Sequence, residues 1–79
     1  MKLPRDLIGA ELVKLLCKHF DYRRVNQEGS HVILETDVPR QHRISIPDHS
    51  ALRIGTLNSI LRAIANVKSV EKEDILRHL

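Results

Sequence analysis

The sequence has almost no aromatic residues: it contains one tyrosine, one phenylalanine and no tryptophan among 79 residues. RNA-recognition motifs, OB-folds and cold-shock domains stack nucleic-acid bases on exposed aromatic side chains. The scarcity of aromatics excludes a base-stacking surface of that kind. Any recognition of nucleic acid by this chain would depend on the phosphate backbone and would be only loosely sequence-specific.

The chain is also poor in cysteine and has no long apolar run. Cys17 has no second thiol with which to form an intramolecular disulfide, and this usage favours a reducing cytoplasm. The segment from Met1 to Asp6 is charged, and no stretch approaches the roughly 18 apolar residues of a membrane span. We therefore expect a cytoplasmic protein that is neither exported nor inserted in a membrane.

The length and charge of the chain point to one small domain over residues 1–79. Three glycines and three prolines are too few for a linker. A domain of this size buries only about 60–65% of its unfolded surface and has no interdomain cleft for a small-molecule cofactor, so any chemistry would occur at the surface on a macromolecule. The net charge of +3 suits a polyanion, although it favours nucleic acid only slightly.

Hydrophobic periodicity predicts an α-β-β-β-α order with a short C-terminal helix. The predicted elements are a helix over 9–20, strands over 22–27, 31–36 and 42–46, a helix over 56–65 and a last short helix. Gly9, Thr56 and Ser69 are the predicted N-caps of the three helices. Cys17 falls on the apolar side of the first one. The order predicts an α+β fold, with a three-stranded antiparallel sheet covered by helices on one face.

Alternation along the strands assigns side chains to the two faces of the sheet. The inward set is Val25, Val32, Leu34, Ile44 and Ile46. His31 and Arg43 share the open face, where we expect them side by side. His42 is expected on the core side of its strand end. His19 and His78 lie near helix C-termini, where the helix dipole favours imidazolium, and we expect structural roles for both.

A histidine follows a turn glycine and a hydroxyl in Gly29-Ser30-His31, just before an apolar strand. A side chain at such a strand end occupies a fixed place on a rigid sheet, as a catalytic group should. Adjacent strand residues point to opposite faces, so Ser30 and His31 do not form a hydrolase triad. The spacing of His, Cys and acidic residues does not match a metal site. From the residues alone, His31 is either catalytic or a solvated strand-end histidine.

Several short motifs occur in a characteristic order over nearly the full chain. They are Met1-Lys2-Leu3-Pro4-Arg5, Gly9 before a helix, Gly29-Ser30-His31-Val32, Pro47-Asp48-His49, and Gly55-Thr56-Leu57 with Ile60-Leu61-Arg62. Together they resemble the HicA family, the toxin partners of HicAB toxin–antitoxin pairs. The resemblance implies a double-stranded-RNA-binding-domain-like fold, an endoribonuclease activity on mRNA without a cofactor, and a HicB-like antitoxin protein as partner.

The resemblance implies that His31 is the catalytic histidine. Because the pKa of histidine lies near 6.5, it can take the proton from a 2′-hydroxyl or protonate the leaving 5′-oxygen at neutral pH. His49 matches the family's Pro-x-His element. It is either a second proton carrier or phosphate contact, or a loop histidine that supports its turn.

Affinity for RNA would come from contacts with phosphates. The candidates are Lys2, Arg5, Arg24, Ser30, Arg43 and Arg53, together with the N-terminus of the second long helix. The alternative interpretation of each basic residue is a solvated surface charge that does not contact RNA. Two other functions stay open: a non-catalytic RNA-binding module with the same fold, and a protein-interaction domain whose basic face binds an acidic partner.

Overall fold

The computed structural model describes residues 6–48 and 51–79. The elements in chain order are α1 (Gly9–His19), β1 (Arg23–Glu28), β2 (His31–Thr36), β3 (His42–Pro47), α2 (Ile54–Lys68) and α3 (Lys72–Leu76). The strands form one antiparallel sheet in the order β1-β2-β3. The predicted α+β order is therefore confirmed, with strand ends that differ by one residue and a longer α2. None of the helices in 6–48 and 51–79 has the length and apolarity needed to cross a membrane.

The hydrophobic core lies between α1, α2 and one face of the sheet. Its fully buried members include Leu12, Leu16, Val32, Leu34, Ile46, Leu57, Leu61 and Ile64. The helical members recur three or four residues apart and the strand members two apart, so each element turns one apolar side inward. Each such side chain contributes about 1.5–3 kcal/mol through burial. Cys17, predicted on the apolar side of α1, is exposed, because it lies at the margin of the buried stripe.

A β-bulge in β1 changes one of the predicted faces. The register shifts between Arg24 and Asn26, so that the extra residue, Val25, has no partner on β2 and is 39% exposed. A bulge of this kind interrupts the strict alternation of faces. The prediction that Val25 joins the inward set is therefore wrong, whereas Val32, Leu34 and Ile46 are buried as predicted.

None of the three predicted N-caps is correct. Ile8 caps α1, Arg53 caps α2 and Glu71 caps α3. Thr56 lies inside the first turn of α2, because the backbone already enters the helix at Ile54. Ser69 ends that helix in a left-handed conformation, with φ of 56°, and this reversal leads the chain into α3. The amide of Glu71 donates to the Asp74 carboxylate at 2.9 Å, which satisfies the start of α3.

Gly9 serves as a contact point between α1 and the end of β3. A β-carbon built on Gly9 would lie 1.5 Å from the carbonyl oxygen of Pro47. The Ala10 amide also donates to the Asp48 carbonyl at 3.2 Å, and the Leu52 amide donates to the Leu7 carbonyl at 2.8 Å. Hydrogen bonds thus connect the start of α1 to Asp48, which precedes residues 49–50, and to Leu52, which follows them.

Candidate active site on the open sheet face

His31 is the first residue of the central strand, and its side chain is exposed. It lies opposite Glu28 on β1 and Pro47 on β3. Residues 31, 33 and 35 point away from the helices, so His31 lies on the open face as predicted. The structure therefore combines a rigid backbone position with free access for a large substrate.

Backbone and side-chain hydrogen bonds hold the frame around His31. Gly29 takes a positive φ of 60° in the turn before it, a conformation that favours glycine. The Asp48 amide donates to the Ser30 carbonyl at 2.9 Å, which ties the end of β3 to this turn. The Gln27 side-chain amide donates to the Gly29 carbonyl at 3.3 Å. Contacts from β1 and from the end of β3 therefore fix the backbone next to His31.

Arg43 shares the open face with His31, but the two are not side by side. Arg43 lies opposite Glu35, whereas His31 lies opposite Pro47. Four residues of strand separate these positions, or about 13 Å at 3.3 Å per residue. The predicted adjacency is therefore wrong, because it required the register between β2 and β3, which alternation alone does not give. A contact between Arg43 and RNA stays a prediction.

Glu35 organises a cluster of cations at the end of the open face away from His31. Its carboxylate contacts Arg23 at 3.1 Å and Arg43 at 3.4 Å, and it accepts a hydrogen bond from Gln41 at 3.0 Å. Arg23 also pairs with Asp37 at 3.0 Å. The Gln41 hydrogen bond and the two arginine charges lower the pKa of Glu35, against the opposing effect of burial. Both arginines are therefore largely compensated by carboxylates.

The remaining predicted site residues lie apart from this frame. Arg24 is exposed on β1 opposite Leu34, and Arg53 is exposed at the start of α2. Lys2, Arg5 and His49 lie outside the described residues, so their predicted contacts with RNA stay predictions. Ser30 contributes its carbonyl to the turn, and its role toward RNA is likewise a prediction. No three His, Cys, Asp or Glu side chains in 6–48 and 51–79 gather in a group that could hold a metal ion.

His42 is half-buried on the core side of its strand end, as predicted. Its Nδ1 lies 2.9 Å from the Tyr22 hydroxyl, and Lys68 Nζ lies 4.9 Å from the centre of the Tyr22 ring. Burial lowers the pKa of His42, and the charges of Arg40 and Lys68 lower it further. Burial raises the pKa of Tyr22 to about 12, so its hydroxyl keeps the proton at neutral pH.

The lowered pKa of His42 makes stability depend on pH. The folded state binds this proton less readily than the unfolded state, so the contribution is complete above pH 6.5 and is lost as the pH falls below that value. We expect the free energy of unfolding to fall as the pH is lowered from about 6.5, the ordinary pKa of histidine, through the lower pKa of His42 in the folded state. In the His42→Gln variant the slope of the free energy of unfolding against pH should be smaller. The difference should be at most the amount that corresponds to the uptake of about one proton. Urea titrations across this range test the prediction, and an identical slope in both proteins would contradict it.

His19 and His78 stack with their ring centres 4.0 Å apart. Partial burial lowers the pKa of His19, and the neighbouring charges of His78 and Lys18 lower it further. At His19 these effects oppose the predicted preference of the helix dipole for imidazolium, which stays a prediction. The contact joins the last turn of α1 to the C-terminal segment, in agreement with a structural role.

Fold and site together define a small α+β domain whose candidate site is an open surface. Residues 9–65 match the family model described as the HicA toxin of bacterial toxin-antitoxin. The match covers more than half of the chain, and the chain belongs to the HicA toxin family. The resemblance drawn from the sequence motifs is thereby confirmed. Searches of curated proteins and of solved structures each found no match.

Proposed function

We propose that this toxin is a metal-independent endoribonuclease that cleaves mRNA. We further propose that His31 takes the proton from the 2′-hydroxyl of the substrate. The observation that supports it is the exposed imidazole on the first residue of the central strand, next to a turn held by β1 and β3. Acid–base help from a positioned histidine accelerates a reaction by about 10²–10⁴-fold. Membership in the HicA family supports the assignment as a toxin, and the exposed imidazole of His31 supports the proposed acid–base chemistry.

The proposed reaction uses the 2′-hydroxyl of the substrate as nucleophile. Neutral His31 takes the hydroxyl proton while the 2′-oxygen attacks the adjacent phosphorus. The bond from phosphorus to the 5′-oxygen breaks, and an acid protonates the departing oxygen. The products are a 2′,3′-cyclic phosphate and a 5′-hydroxyl, so the step needs neither an oxidant nor an additional reactant.

His49 is the proposed source of the second proton or a contact with the phosphate. It follows Asp48, whose amide is bonded to the carbonyl of Ser30 in the turn before His31. This link supports the assignment, because it brings the preceding residue close to the backbone of the catalytic strand. Phosphate contacts are assigned to Arg24, Arg43 and Arg53, with Lys2, Arg5 and Ser30 from the sequence. At about 13 Å from His31, Arg43 would contact a phosphate other than the one that is cleaved.

A HicB-like antitoxin is the proposed partner, because an open site on a ribonuclease with little sequence readout would damage its own cell. Basic rim residues such as Arg24 and Arg43 suit an acidic partner and would mainly speed association.

We expect induction of the chain alone to arrest growth and co-expression of the neighbouring reading frame to relieve the arrest and yield a co-purifying complex. A chain that is harmless alone, binds no adjacent gene product and shifts RNA without cutting it would contradict the toxin. It would instead indicate an RNA-binding module.

A further inference from the structure

A basic groove lies at the end of the sheet away from His31, between the start of β3 and the side of α2. Its polar lining consists of Arg40, His42, Ser59, Arg62 and Asn66, and we call it the Arg40 groove. His42 pairs with Thr36, five residues along β2 from His31. The groove is therefore about 17 Å from His31 along the strand direction and on the helix side of the sheet. A strand of several nucleotides would reach both by passing around the edge strand β3.

The charge of the Arg40 groove is not compensated in the way that the open-face arginines are. Arg40 donates to the amide oxygen of Asn66 at 3.1 Å, which is a neutral partner. Lys68, close behind, donates to the Thr36 hydroxyl at 2.8 Å, a neutral group, and its charge also interacts with the Asp21 carboxylate. No acidic side chain is among the described residues that line the groove. Burial lowers the pKa of His42, and the nearby charges of Arg40 and Lys68 lower it further.

The neutral groups of the groove are arranged as donors. The Asn66 oxygen accepts from Arg40, so the amide nitrogen of Asn66 is left to donate to a ligand. The Nδ1 of His42 is engaged with Tyr22. When the Tyr22 hydroxyl donates to it, Nε2 carries the ring proton and is a donor as well. Two guanidinium groups with added neutral donors match the oxygens of a phosphate.

We propose that the Arg40 groove binds backbone phosphates of the RNA strand whose cleaved bond lies at His31. This proposal rests on the proposed function, because it assigns a second contact region to the same substrate. The groove adds affinity for strands long enough to extend from His31 along the open face and around the β3 edge to the helix side of the sheet. It reads no base, in agreement with the scarcity of aromatic residues in the sequence.

The test measures binding of a labelled single-stranded RNA to the His31→Ala protein, in which cleavage is expected to be slow enough for the RNA to stay intact during the measurement. Adding Arg40→Gln and Arg62→Gln should weaken binding about tenfold. It should also reduce the slope of log affinity against log salt by about 1.4, the value for two lost phosphate contacts on a single strand. Arg40→Lys with Arg62→Lys should restore most of the salt slope, because the charges remain.

Lys14→Gln with Lys18→Gln is the matched control, since it removes the same charge from exposed residues that do not line the groove. Circular dichroism verifies that each variant is folded. Equal weakening by the groove pair and the control pair would overturn the groove and leave the proposed function standing. If the His31→Ala protein binds no RNA at all, both the groove and the proposed function are overturned.

Discussion

Replacement of His31 with alanine is expected to reduce RNA cleavage by about 10²–10⁴-fold, the usual contribution of a general acid or base. The loss should appear in kcat, because the imidazole acts on the proton that moves during the reaction. His31 is exposed on the open face, so its removal takes away no core packing. Surface substitutions of this kind change stability by about 0.5 kcal/mol or less.

His78→Ala is the control for this experiment, since it removes another exposed histidine that stacks on His19 away from the open face. It should cleave RNA at the wild-type rate. Single-turnover assays and thermal melts of the three proteins give the comparison. If His31→Ala cleaves at the wild-type rate, or melts several degrees lower than the wild type, the assignment of His31 as the catalytic residue is wrong.

Gly9→Ala is expected to give the largest loss of stability, at or above the upper end of the roughly 1–3 kcal/mol typical of overpacking. Its new β-carbon would lie 1.5 Å from the Pro47 carbonyl oxygen, 2.6 Å from the carbonyl carbon and 2.9 Å from Asp48 Cα. These are backbone atoms, so the start of α1 must move away from β3. The same stretch of β3 is bonded to the turn before His31, and we therefore expect cleavage to fall as well.

Gly55→Ala is expected to have the opposite effect on stability from Gly9→Ala. Gly55 lies in the first turn of α2, and a β-carbon built there meets nothing within 4 Å. Alanine in a helix is favoured over glycine by about 0.5–1 kcal/mol, so this variant should be more stable than the wild type. Urea unfolding of both variants checks the pair. Equal effects of the two substitutions would show that Gly9 is not held against β3.

The parts of the fold that follow from local periodicity were predictable from the sequence. The strand His31–Thr36 has the predicted bounds, and Leu34 and Ile46 are buried by alternation. Val25 was misplaced because a bulge depends on how two strands pair, which alternation within one strand does not reveal. The N-caps failed for a related reason: Thr56 and Ser69 have capping side chains, yet the helix start depends on where the preceding loop joins the core.

The candidate site was predictable only where one residue carries the signal. The Gly-Ser-His motif locates His31 at a strand start, and the structure has it there. The Glu35 cluster was missed, because Arg23, Glu35 and Arg43 lie on three strands and meet through the register. The Arg40 groove was also missed. Arg40 and Arg62 belong to a loop and a helix that only the tertiary fold brings together.

The ends of the RNA products, produced in the presence of a chelator, test the central claim most directly. Histidine acid–base chemistry through the 2′-hydroxyl predicts continued cleavage, with 2′,3′-cyclic phosphate and 5′-hydroxyl ends, and no cleavage of DNA. Mass spectrometry of the products identifies these ends. Cleavage that stops in chelator, returns with a divalent cation and leaves 5′-phosphate ends would contradict the mechanism.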